Sequence, residues 1–119
     1  MGFVYDDRYK TYSYSIGNIE FDCDTVEDGY EERAKQLAGI YNDKLPEIIA
    51  FMLPEIRETY QEEYDLIDEK VVGEMINAPT INLSLNQVSY YEQKFDSCHI
   101  FSFSFDGDFD NLKYFSIDG

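Results

Sequence analysis

The aspartates of Asp106-Gly107-Asp108-Phe109-Asp110-Asn111 fall at alternate positions, the spacing with which a calcium loop begins. A loop of the EF-hand type then needs glycine at its sixth position and a bidentate glutamate at its twelfth. This chain has Asn111 and Ile117 there. The same residues suit a hairpin turn, because Asp, Gly and Asn tolerate turn dihedrals. A turn is expected, with Asp106, Asp108 and Asp110 as a weak candidate cation site.

Cysteine and histidine offer a second kind of chemistry. His99 is the only histidine, which excludes a histidine-based metal cluster and a paired-histidine mechanism. In a strand over residues 98–105, Cys98 and His99 point to opposite faces, so they make a poor nucleophile–base pair. His99 shares its parity with Phe101, Phe103 and Phe105 and reads as a satisfied histidine at the core edge. Cys23 and Cys98 form neither a CxxC pair nor a zinc spacing. Both read as reduced thiols packed as small hydrophobes. Gly-rich phosphate loops and a nucleophile elbow are absent. Carboxylate pairs arise by chance among 25 acidic residues. Neither an enzyme nor a cofactor is expected.

The most suggestive run is Glu55, Glu58, Tyr60, Glu62, Glu63, Tyr64, Asp65 and Asp68, continued by Glu69. A solvated helix face and loop would look the same. The functional reading is a partner-binding surface. Tyrosines supply rigid contact area, and carboxylates steer a basic protein toward it. Glu20, Asp22 and Asp24 on the outer face of the first hairpin extend such a patch.

These residues need elements to position them. Residues 9–16 alternate apolar and polar, Gly17-Asn18 is a two-residue turn signal, and Ile19, Phe21 and Cys23 alternate with acidic residues. That is a hairpin. Apolar residues then recur at Tyr30, Ala34, Leu37, Tyr41, Leu45, Ile48, Ile49 and Met52, which is the helical period. Thr25 or Asp28 can supply its N-cap. Pro46 either kinks this helix or starts a new one, and Pro54 repeats the device before an acidic helix over residues 55–64. A further short helix over 68–78 ends before Pro79. Alternation returns at 81–85, 88–92, 98–105 and 112–117. The order ββ-ααα-ββββ implies a single α+β domain over 1–119. Its expected form is a roughly six-stranded antiparallel sheet with three or four helices on one face.

Charge narrows the partners. The chain has 9 basic residues against its 25 acidic ones, a net charge of −16, yet it is 44% hydrophobic and 17% aromatic. A disordered acidic tail lacks that apolar content. Such a surface repels nucleic acid and anionic membrane and attracts a basic partner. No basic segment followed by an apolar one opens the chain, so a cytoplasmic location is expected.

The C-terminal third carries a resemblance. Tyr90-Tyr91, His99-Ile100-Phe101-Ser102-Phe103, Phe105-Asp106-Gly107-Asp108 and Phe115-Ser116-Ile117-Asp118-Gly119 resemble the end of small bacterial immunity-type domains of unknown function. Ser97-Cys98 stands here where an aromatic pair precedes the histidine in that pattern. The resemblance implies an antidote that binds and blocks one cognate toxin, and it implies no catalytic residue. The expected function is thus a non-catalytic inhibitor that occludes a basic partner. The alternative is a structural protein that assembles with copies of itself. Monomer and homodimer both remain open.

Overall fold

Period-two alternation and tight turns build most of this molecule, and one long helix covers the result. A computed structural model describes residues 2–119. Its elements are β1 (Val4–Asp6), β2 (Thr11–Ile16), β3 (Ile19–Cys23), α1 (Tyr30–Tyr60), α2 (Glu69–Met75), β4 (Thr80–Asn82), β5 (Gln87–Tyr90), β6 (Ile100–Asp106) and β7 (Asn111–Asp118). The fold is α+β. Among the described residues, seven strands form one sheet in sequence order.

Three expectations about this architecture are corrected. The sheet has seven strands because Val4–Asp6, too short to show a period, pairs with Thr11–Ser13. It is mixed, not wholly antiparallel: β3 and β4 run parallel, with Phe21 opposite Ile81. A parallel pair needs a long crossover, which α1 and α2 supply. Among the described residues there are two helices, not three or four, because Pro46 and Pro54 both lie inside an unbroken α1 of 31 residues.

The physical reason is burial. Each proline removes an amide that would bond the carbonyl four residues back, at Asn42 and Ala50, and both carbonyls lie on the exposed side. Ile48, Ile49, Met52, Leu53 and Ile56 are buried on the other side. Burying one such side chain is worth about 1.5–3 kcal/mol, so two or three outweigh the roughly 3 kcal/mol of a helix-interior proline. The N-terminus also differs. Gly29, with φ of 88°, occupies the N-cap and no side chain caps the helix; Glu31 and Glu32 in the first turn answer its positive pole instead.

α1 lies across the sheet, touching β2 and β7. Between them sit Phe21, Ile81, Val88, Tyr90 and the Phe101, Phe103 and Phe105 row, all at most 1% exposed. The hydroxyls of Tyr41 and Tyr90 meet at 2.5 Å inside this core. Burial pushes the Tyr41 phenol up to about 12. No described helix is long and apolar enough to cross a membrane.

Candidate functional site

The acidic run divides by side-chain type. Glu55, Glu58, Glu62, Glu63 and Asp65 are exposed around the C-terminal end of α1. Tyr60, in contrast, is buried at 4% exposure, and Tyr64 is half-buried. Asp68 caps α2, accepting a 2.9 Å hydrogen bond from the Val71 amide. Tyr60 is therefore not contact area, which corrects its expected role, whereas Tyr64 keeps part of its ring at the surface. The helical period puts Tyr60 one turn beyond Ile56, on the core side. Arg57 donates from Nε to the Ile67 carbonyl at 2.7 Å and ties the acidic segment back onto the helix. The result is a shallow groove of about 370 Å³ lined by Arg57, Glu58, Gln61, Tyr64, Asp65, Leu66 and Ile67. Leu66 stands 68% exposed at its side.

What the two tyrosines hold is the segment between β5 and β6. The Tyr64 hydroxyl donates to the Phe95 carbonyl at 2.9 Å. The Tyr60 ring stacks on Phe95 at 5.1 Å, and its hydroxyl donates to Asp96 Oδ2 at 2.6 Å. Burial, then the Asp96 carboxylate, push the Tyr60 phenol far above its ordinary value. Gln93, 6% exposed, binds the segment from inside. Its Oε1 accepts from the Phe95 amide and its Nε2 donates to Asp96 Oδ1 and the His99 carbonyl. Asp96 Oδ1 also accepts from the Cys98 and His99 amides. Burial raises the Asp96 carboxyl. The hydrogen bonds from Tyr60, Gln93, His99 and the Cys98 amide outweigh that and hold it well below the usual carboxylate range.

His99 Nδ1 lies 2.6 Å from Asp96 Oδ2 and 3.3 Å from Cys98 Sγ. The expectation that Cys98 and His99 diverge is therefore corrected: β6 begins only at Ile100, and strand alternation does not govern the turn before it. Cys98 is also exposed instead of packed, while Cys23 is buried, and both are free thiols. The trio is nevertheless not a Cys-His-Asp relay. A relay needs the acid on one ring nitrogen and the nucleophile on the other, and here both approach Nδ1. Sequence reasoning missed Asp96 and Gln93. The available signal was an aspartate three residues before a Cys-His pair, in a short segment between two strands.

The Asp106–Asn111 segment is a turn, with Gly107 and Phe109 at positive φ. Phe109 tucks beneath it, 1% exposed, against Phe105 and Tyr41. Its three aspartates go to separate partners. Asp106 Oδ2 accepts from Lys113 Nζ at 3.0 Å, which holds that carboxyl below its ordinary value. Asp108 accepts from Gln36 at 2.8 Å. Asp110 lies 3.7 Å from Lys44. Among the described residues, Asp96, Cys98 and His99 are the group of three whose metal-ligating atoms converge.

Glu20 and Asp22 sit on the sheet face turned away from α1, so they do not extend the patch at its end. Asp22 is half-buried there, and its Oδ1 has no hydrogen-bond partner among the described residues. Burial, then the Glu20 charge, raise its carboxyl from 3.8 to about 6. Compared with known proteins, the chain matches no family model, no curated protein and no solved structure.

Proposed function

We propose that this chain is a non-catalytic protein-binding domain of the immunity type, which occludes a basic partner such as a toxin domain with the surface at the end of α1. One observation carries the reading. Glu55, Glu58, Glu62, Glu63 and Asp65 are all exposed near the end of α1, Glu58 and Asp65 lining the groove beside Arg57, and no ion pair among the described residues engages them. Arg8, Lys35, Lys113 and Arg33, elsewhere on the molecule, do have carboxylate partners, at Asp6, Glu31, Asp106 and Asp108. Unpaired like charges around a groove raise the local concentration of a cationic partner and speed its docking. Leu66 adds an apolar contact beside them. The tyrosines contribute as a scaffold: Tyr60 and Tyr64 fix the helix end and the turn after it against the Phe95 segment, which anchors the stretch that carries the carboxylates.

Assembly with copies of itself is the weaker alternative, because bringing together two chains of charge −16 is electrostatically opposed. The test is a pull-down with this chain as bait from cells expressing the neighbouring genes. Capture of one basic protein in equimolar amount is expected. Its association should slow at least about tenfold from low salt to physiological salt. Bait recovered alone, and multimeric by light scattering, would refute the inhibitor reading in favour of self-assembly.

A further inference from the structure

The Asp96–His99 segment holds its shape through groups that leave its three functional atoms side by side. Gln93 and the two amides bonded to Asp96 Oδ1 fix the backbone. One ligating atom each from Asp96, Cys98 and His99 then lies within 4.8 Å of the others, next to solvent, with Asp96 Oδ2 and Cys98 Sγ both against His99 Nδ1. A carboxylate, a thiolate and a neutral imidazole are the three donor types that borderline divalent metals take together. Their summed charge matches a dication.

We propose that Asp96, Cys98 and His99 form a binding site for a borderline divalent cation of the Zn²⁺ and Co²⁺ class, with water in the fourth position. The proposal is independent of the inhibitor reading. Tetrahedral zinc with bonds of about 2.0 Å to N and O and about 2.3 Å to S sets neighbouring donors about 3.3–3.5 Å apart. Sγ and Nδ1 already stand at 3.3 Å. Oδ2 and Nδ1 are hydrogen-bonded at 2.6 Å, and the ion takes the place of that proton, the imidazole remaining neutral in its Nε2–H form, as the pair opens by about 0.7 Å. Tyr60, donating to Oδ2, is the outer-shell group that orients the carboxylate. The open side faces water because Cys98 is exposed.

A chain of charge −16 also collects divalent cations loosely, and the test separates that from ligation. The folded chain is titrated with Co²⁺ in a large excess of Mg²⁺, which takes oxygen donors and leaves thiolate alone. One equivalent should raise a thiolate-to-cobalt charge-transfer band and visible d–d bands of tetrahedral intensity, and Zn²⁺ should abolish both. Changing an outer-shell group costs about 10–100-fold in affinity. Tyr60→Phe should therefore weaken binding within that range and keep the charge-transfer band. Cys98→Ser and His99→Gln should each weaken binding by more than about 100-fold, and Cys98→Ser should remove the band. In the unmodified protein Zn²⁺ should also protect Cys98 from alkylation, a readout independent of any variant's folding. No charge-transfer band, a band surviving in Cys98→Ser, or alkylation indifferent to Zn²⁺ would overturn the site.

Discussion

Asp22 places a carboxylate on β3 where Oδ1 has no donor among the described residues and where Glu20, two residues earlier on the same face of the strand, is a second acid. The native state therefore holds the Asp22 proton to about 6, against 3.8 unperturbed. The sign follows from proton binding: between those values the folded chain binds more protons than the unfolded one, so stability falls as pH rises through that window and stays lowered above it. About half the group is solvated, which discounts the full shift to a penalty of about 1 kcal/mol. Asp22→Asn removes the charge and gives the site an N–H₂ that can donate to Glu20. The variant should be more stable than the parent by about 1 kcal/mol near neutral pH. The gain should vanish near pH 4, measured by urea unfolding at several pH values. A gain independent of pH would show that charge is not the cause. The alternation of residues 19–23 made the outward position of Asp22 legible, but it could not show that the site lacks a donor. Likewise, the hydrogen bonds that gather Asp96, Cys98 and His99 follow no period, so the segment read as the start of a strand.

At the scale of elements, local signals and long-range pairing separate cleanly. The hairpin of β2 and β3 was legible because its alternation and its Gly17-Asn18 turn are both local; Ile16 faces Ile19 as that turn requires. The strands before and after the Asp106–Asn111 turn were legible for the same reason. The parallel β3–β4 pair was not, since nothing in either strand records a partner across a helical crossover. α1 shows the other limit. Proline is a strong local punctuator, yet the apolar stripe through Ile48, Met52 and Ile56 runs past both prolines, and packing on the sheet decides the outcome. It follows that the prolines are tolerated, not required. Pro54→Ala restores a donor for the Ala50 carbonyl on the exposed side and should stabilise the chain by about 1–3 kcal/mol in urea unfolding. Destabilisation instead would mean that the backbone geometry Pro54 imposes is needed to seat Tyr60 and Ile56 against the sheet.

The whole molecule carries its acidity as a compromise between solubility, partner attraction and self-repulsion. Exposed carboxylates outnumber cations over most of the surface, and the end of α1 concentrates five without an ion pair among the described residues. Repulsion within such a group acts across a screening length of about 30 Å at 10 mM salt and about 8 Å at 0.15 M. The free chain should therefore melt higher as salt is added at low ionic strength, with most of the rise complete by physiological salt. If the cluster at the end of α1 is held for binding, neutralising it should separate the two effects. The quadruple variant Glu58→Gln, Glu62→Gln, Glu63→Gln, Asp65→Asn should unfold at a higher temperature than the parent at low salt. About 1 kcal/mol would shift the midpoint by roughly 4 °C, and the difference should shrink with added salt. The same variant should associate with its basic partner at least about tenfold more slowly at low salt, with dissociation changed far less, because screened charges act mainly on encounter. A gain in stability with no loss of association rate would leave the cluster as a general solubilising surface and move the docking site elsewhere on the molecule.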